Sequence, residues 1–208
     1  EGQRLRLSYF HPILIYWGQI GCSLVDPKVF EIMRDQIRRM HQLFQAPGYF
    51  MAYDEIRVGG WEPTPDGRER TSGQRLAEHV RRAIRMIRET APVSKIYVWS
   101  DRFYPYHNAR DRYYLVKGTL RGSWEGLDPE VVIVNWYHKK RDQSLRWFAQ
   151  RGHKQIIAGY YDGGHQPVST WLESASKVPG VIGIMYTTWR HNYDDLESFI
   201  QDVRRYQP

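Results

Sequence analysis

The stretch GYFMAYDE, Gly48 to Glu55, joins an apolar run to two adjacent carboxylates. Its shape recurs in KIYVWSD (Lys95 to Asp101), VVIVNWY (Val131 to Tyr137), KQIIAGYYD (Lys154 to Asp162) and VIGIMYTTW (Val181 to Trp189). Short runs rich in Val, Ile, Tyr and Phe, bounded by Gly, Pro or charge, predict strands covered on both faces. Helical periodicity fills the intervals between them, and β-α-β-α alternation is the pattern of a parallel sheet with helical crossovers. In such sheets ligands bind at the carboxyl ends of the strands. Trp, Tyr, Asp and Glu gather at that end in run after run, so the sequence predicts a binding site there, with Asp54 and Glu55 as its chemistry.

Outward from these runs, Asp26-Pro27 predicts a helix N-cap with proline at the first helical position. Val29, Met33, Ile37, Met40 and Phe44 follow at helical spacing as one buried stripe. Thr71 or Ser72 caps a second helix carrying Leu76, Val80, Ala83, Ile84 and Ile87 on one face. A helix is placed around Asp111 to Leu120, another from Asp142 with Leu145 and Phe148 inward. A shorter one holds Trp171, Leu172 and Ala175, and a last, from about Asp194, buries Leu196, Phe199, Ile200 and Val203. LRLSYF (Leu5 to Phe10) is a possible further strand, and VGGWEPTPDGRER is a polar loop long enough to overhang a site.

The 208 residues suit one domain, 1–208, with no linker composition dividing it. Apolar content of 41% and charge of 25% exclude a disordered chain. A net charge of +7 raises the question of nucleic acid. However, Arg81, Arg82, Arg85 and Arg88 fall on the polar side of one helix, the other basic residues are scattered, and no nucleic-acid module is recognisable, so no such partner is expected. No apolar run approaches the ~20 residues of a membrane helix, and no membrane insertion is expected. Cys22 is the sole cysteine, which rules out an intrachain disulfide and a Cys-rich zinc site. His107, His138 and His191 lie at or just past strand ends, yet no paired-histidine spacing accompanies them, so neither a metal nor a cofactor is expected. A Gly-x-Ser-x-Gly elbow and a phosphate-cradling glycine motif are both absent. The unusual feature is aromatic: 8 Trp and 15 Tyr, residues whose apolar faces and polar handles suit hydroxyl-bearing rings.

Five strands, or six, fit either an open doubly wound sheet or the later portion of a (β/α)₈ barrel of TIM type. Here a resemblance enters. Leu24-Val25-Asp26-Pro27, then Gln42-Leu43-Phe44, then Phe50-Met51-Ala52-Tyr53-Asp54-Glu55 resemble, in order and approximate spacing, the glycoside hydrolase family 20 β-N-acetylhexosaminidases. That family has a Leu-x-x-Pro turn, a helix ending in Glu/Gln-Leu-Phe, and a strand closing in His-x-Gly-Gly-Asp-Glu. Trp99, Trp136, the Tyr160-Tyr161-Asp162 group and Trp189 resemble its later strand ends. Departures are Phe50 for the His, Ala52 and Tyr53 for the two glycines, and Arg190-His191 where a Glu is usual.

The resemblance implies a partial barrel covering roughly strands three or four to eight, as a C-terminal fragment of a longer barrel. It implies hydrolysis of β-linked N-acetylhexosaminides by a retaining mechanism in which the substrate's own acetamide is the nucleophile, an exception to the usual carboxylate pair. Glu55 would be the acid/base and Asp54 the acetamide partner. Trp99, Asp101, Trp136, Tyr160, Asp162 and Trp189 would contact the carbohydrate. The altered positions leave two alternatives: a carbohydrate-binding barrel without catalysis, or a glycosidase for a different sugar. Oligomeric state and compartment are not legible.

Overall fold

The computed structural model describes residues 2, 4, 21–162 and 168–206, with the side chain of Tyr160 excepted. The candidate strand Leu5–Phe10 lies outside them. In chain order the elements are α1 (Pro27–Phe44), β1 (Gly48–Phe50), β2 (Val58–Gly59), α2 (Ser72–Thr90), β3 (Lys95–Trp99), β4 (Leu115–Val116), β5 (Val132–Asn135), α3 (Arg141–Ala149), β6 (Gln155–Tyr160), α4 (Val168–Ser176), β7 (Val181–Thr187) and α5 (Leu196–Arg205).

Every pairing in the main sheet is parallel, and its order, β1-β3-β5-β6-β7, follows the chain. Each strand is therefore laid beside its predecessor through a crossover, and the sheet curls as a half-barrel. The curl is visible at its mouth. Trp99 ends β3 and Trp189 follows β7, with two strands between them. In a flat sheet three strand spacings would separate these ends by ~14 Å. Their ring centroids are 6.3 Å apart.

Side-chain alternation divides the core into two faces. Ile96, Val98, Val131 and Ile133 face outward onto Leu76, Val80, Ile84 and Ile87 of α2 and onto Phe148 of α3. Trp99, Val134 and Ala158 face inward, with Ala52, Tyr97, Trp136 and Ile156 against them. Beneath β5 and β6, Asn135 donates to Gln155 Oε1 at 2.6 Å and accepts from Ser144, while Gln155 donates to the Leu145 carbonyl at 2.9 Å. This satisfied network ties α3 to the two strands.

Local signals set the helix starts. Asp26 accepts from the Lys28 N–H at 2.8 Å ahead of Pro27. Thr71 and Gln74 form a reciprocal capping box on α2. The α1 stripe is only partly covered: Val29, Met33 and Ile37 are half-buried, Met40 is 49% and Phe44 64% exposed, and Phe30 takes the buried place against His79 of α2. Ile200 of α5 is likewise exposed, with Phe199 taking the buried place.

The helix expected at Asp111 to Leu120 is not formed. Instead β4 pairs in parallel with β2, and Asp111 bridges Thr119. Left-handed backbone at Arg112 (φ 52°), Tyr114 (φ 45°) and Gly118 (φ 71°) is incompatible with a helix. Tyr113 is drawn under the Arg102 guanidinium, 3.8 Å from its ring centroid. Packing against the β3 exit outweighs local helix propensity here.

Candidate functional site

After Phe50 the β1–β3 ladder runs on for two residues, with the Met51 N–H donating to Tyr97 O (2.9 Å) and the Trp99 N–H to Ala52 O (3.2 Å). The chain then turns sharply. Ala52 (φ 60°), Tyr53 (φ 66°) and Glu55 (φ 44°) all hold left-handed backbone that non-glycine residues seldom adopt. This turn throws Asp54 and Glu55 over the carboxyl edge of the sheet. Ala52 and Tyr53 are the positions at which the resembled motif carries glycines, so the turn geometry is kept here without them.

Asp101 secures the turn from below. It is fully buried, and its Oδ2 accepts the Glu55 N–H at 3.1 Å and the Asn108 amide at 2.9 Å. Arg102, equally buried, has Nε 3.7 Å from the same oxygen. Asp101 thus supports the turn that carries Asp54 and Glu55.

Asp54 and Glu55 line an open cleft of about 500 Å³ together with Ser23, Leu24, Tyr53 and Arg57. Burial, the chief cause, and then the nearby Asp101 raise the Asp54 carboxyl above the ordinary aspartate range. Glu55 is ion-paired with Arg57, and its side chain remains 42% exposed. The Tyr53 hydroxyl is enclosed without a hydrogen-bond partner among the described residues, and burial pushes its pKa upward. Its ring is edge-on to His79 at 5.6 Å and to Phe103 at 6.2 Å.

The aromatic strand ends assemble on the inner face of the sheet. Trp99 is buried, with Phe50 edge-on at 4.9 Å and Trp189 at 6.3 Å. Trp136 is half-buried in the same inward cluster, with His107 against it at 4.6 Å. Trp189 is 66% exposed at the rim. Its backbone N–H and that of Arg190 donate to Asp162, as does Thr188 Oγ1, so Asp162 fixes the turn that presents Trp189. Burial opposes ionisation of Asp162, but these donors outweigh it and hold the carboxyl below the usual range. Tyr160 closes β6 opposite Thr187, and its side chain lies outside the described residues.

The residues singled out from the sequence thus form two adjoining groups. Trp99, Trp136 and Trp189 wall the inner face, while Asp54 and Glu55 edge a cleft bordered by residues 21–24 and α1; Ala52 and Asp101 join them. Arg57, the partner of Glu55, was not singled out, although a cation two residues from paired carboxylates is a readable signal. His107, marked in the sequence by its place past a strand end, is stacked on Tyr137 at 3.9 Å. Among the described residues no group of three His, Cys, Asp or Glu is placed to hold a metal, and no helix is long and apolar enough to cross a membrane.

The fold and site together define a parallel βα half-barrel with a carboxylate turn and an aromatic rim at the carboxyl ends of its strands. No protein-family model and no curated protein matches the sequence. Among solved structures, an inactive mutant of a GH20 exo-β-N-acetylglucosaminidase from Vibrio harveyi aligns with 89% of this chain, at a TM-score of 0.60 and 13% identity. The chain spans 31% of that protein's length. A sugar phosphate isomerase/epimerase from Parabacteroides distasonis aligns with 84% of the chain and 63% of its own, at a TM-score of 0.48 and 14% identity. At 13% identity the likeness to the first of these is one of fold.

Proposed function

We propose that this chain is the later part, roughly strands three or four to eight, of a sugar-active (β/α)₈ enzyme that hydrolyses β-linked N-acetylhexosaminides with retention. The observation that carries the reading is the left-handed Ala52-Tyr53 turn, which delivers Asp54-Glu55 to the strand ends where the resembled family uses glycines. The fold likeness to an exo-β-N-acetylglucosaminidase and the tryptophans at the rim support it. Residues 1–208 form one domain in this reading. β1 has β3 as its described ladder partner, and upstream strands would cover its other edge.

In the proposed reaction Glu55 gives its proton to the leaving oxygen as the C1–O bond breaks. The acetamido carbonyl oxygen bonds to C1, forming a cyclic oxazolinium. Asp54 accepts the acetamide N–H and stabilises the positive charge, and Tyr160 donates to the acetamide oxygen. Trp136 and Trp189 wall the pocket, with Trp99 behind them, excluding water until the leaving group departs. Water then adds at C1 as the bond from C1 to the acetamide oxygen breaks, and it gives a proton to Glu55, restoring the acid and the free acetamide. Arg57 must release the Glu55 oxygen as the sugar enters.

That ion pair is also the observation favouring a second reading, a carbohydrate-binding barrel without turnover. Assay of the full-length protein on aryl β-N-acetylglucosaminides and galactosaminides, with binding measured alongside, separates the two. The enzyme reading expects Glu55→Gln to lower kcat by ~10²–10³, the usual cost of one preorganised catalytic group, with sugar binding retained. Binding without turnover by the wild type favours the second reading. An active wild type whose Glu55→Gln and Asp54→Asn variants keep full rate would remove both residues from the chemistry.

A further inference from the structure

Glu55 is held twice, once by its backbone and once by its side chain, and the two holds belong to one circuit of contacts. Asp101 accepts the Glu55 N–H at 3.1 Å, and Arg102 stands beside it with Nε 3.7 Å from the same oxygen. The Arg102 guanidinium covers the Tyr113 ring at 3.8 Å, and Tyr113 meets the Tyr114 ring edge-on at 4.8 Å. Tyr114 in turn lies with its ring centroid 5.6 Å from the Arg57 guanidinium, which pairs with the Glu55 carboxylate. The circuit thus closes on the residue at which it began.

The backbones at the Arg57 end of this circuit are fixed to each other. The Leu115 N–H donates to Arg57 O at 2.9 Å, and Val58 pairs with Leu115 in the β2–β4 ladder. Tyr114, the residue before Leu115, is set by a left-handed φ of 45°. The Arg57 side chain therefore swings from a fixed point, with the carboxylate on one side and the ring on the other. A guanidinium within ~6 Å of an aromatic centroid is attracted to the ring. The Glu55 side chain is 42% exposed, so dissolved salt reaches and weakens the ion pair.

We propose that Arg57 is a two-position latch: it holds Glu55 in the empty site and moves onto the Tyr114 ring when an uncharged sugar takes the carboxylate. Arg57 and Tyr114 are then positioning residues, acting on the sugar through Glu55. The proposal rests on the function proposed above for Glu55. It has an unusual consequence. An uncharged ligand, whose binding salt would ordinarily leave alone, must here break an ion pair to enter, so salt should tighten its binding.

The test measures the Kd of N-acetylglucosamine by calorimetry at low and high sodium chloride, on the full-length protein. The wild-type Kd should fall with salt by about two- to fivefold, the modest factor that an exposed ion pair commands. Arg57→Gln should show the lower Kd at both salt levels, and Arg57→Lys, which keeps the charge, should restore the salt response. Tyr114→Ala removes the second position, so it should raise the Kd in the wild-type background and leave it unchanged in Arg57→Gln. A wild-type Kd that ignores salt overturns the latch, as do Arg57 and Tyr114 effects that simply add. In either case, turnover of an aryl β-N-acetylglucosaminide that Glu55→Gln abolishes leaves the catalytic reading standing. The full set of Kd responses without turnover upholds the latch and removes the catalytic reading. A wild type that binds no N-acetylglucosamine overturns both.

Discussion

Asp101 Oδ2 accepts the Glu55 backbone N–H at 3.1 Å, so a fully buried carboxylate at the end of β3 holds the turn that follows β1. Asn108 and Arg102 converge on the same oxygen. The link explains how a turn with three left-handed non-glycine residues persists: the surrounding structure over-determines it.

Removing Asp101 should therefore do two things at once. Asp101→Ala leaves Arg102 buried without its counter-charge, which costs roughly 3–5 kcal/mol where such pairs are broken. It also frees the Glu55 turn. Chemical denaturation should show the destabilisation. Hydrogen exchange at the Glu55 amide should accelerate beyond what the global loss accounts for. Asp101→Asn, which keeps one acceptor, should retain slower exchange at that amide. Equal exchange in the two variants would contradict the hydrogen bond's role.

The left-handed backbone at Ala52 and Tyr53 invites the reverse experiment. Ala52→Gly relieves the conformational strain but adds unfolded-state entropy, and the balance should favour the variant by ~0.5–1 kcal/mol. Tyr53→Gly relieves the same strain yet loses a ring packed on His79 and Phe103, and should cost roughly 2–3 kcal/mol. Opposite signs in thermal or denaturant unfolding would separate backbone strain from packing. If Ala52→Gly destabilises, the turn is not strained as described.

These particulars show what could be read from the chain. All five main strands, their parallel sense and the Thr71 cap follow from local apolar runs and capping chemistry, which act within a few residues. The helix expected at Asp111 to Leu120 failed for a physical reason. Tyr113, Val116 and Leu120 are indeed buried at helix-like spacing, but Arg102 and the β2 strand create that burial from elsewhere in the chain. The strand run places Asp101 at a strand end, but its burial and its bonds to Glu55 and Asn108 depend on turns that no local pattern encodes. The pairing of Arg57 with Glu55, and the meeting of Trp99 with Trp189, depend on turn geometry and sheet curl that no local pattern encodes.

His107 supplies a stability switch at acid pH. Burial, then the charges of Arg102 and Arg110, push its pKa down to about 4 from the ordinary 6.5. The unfolded chain therefore takes up a proton before the folded one does. The stabilisation is complete above pH 6.5 and is lost as pH falls from 6.5 through about 4, by an amount on the order of 3 kcal/mol. Urea unfolding across that range should show the decline, and His107→Gln should flatten this part of the profile. An unchanged slope in the variant would place the acid sensitivity elsewhere.

Asp54 carries the opposite sign, and its substitution tests both its environment and its proposed task. Burial raises its folded pKa above the ordinary 3.8, so the folded state holds this proton more tightly than the unfolded chain. Its contribution to stability is then fully present below 3.8 and is lost as pH rises through the raised folded value. Asp54→Asn, which needs no ionisation, should remove that downward slope and be at least as stable as the wild type at neutral pH. The proposed reaction needs the ionised form, because only a carboxylate accepts the acetamide N–H and faces the cyclic cation. Activity on N-acetylated sugars should thus fall in the variant far more than on sugars lacking the acetamide, while stability does not fall with it. A uniform loss on both sugar classes would show that Asp54 shapes the cleft without reading the acetamide. A variant less stable than the wild type at pH 7 would show that its ionised side chain has a stabilising partner, contrary to the half-buried site described.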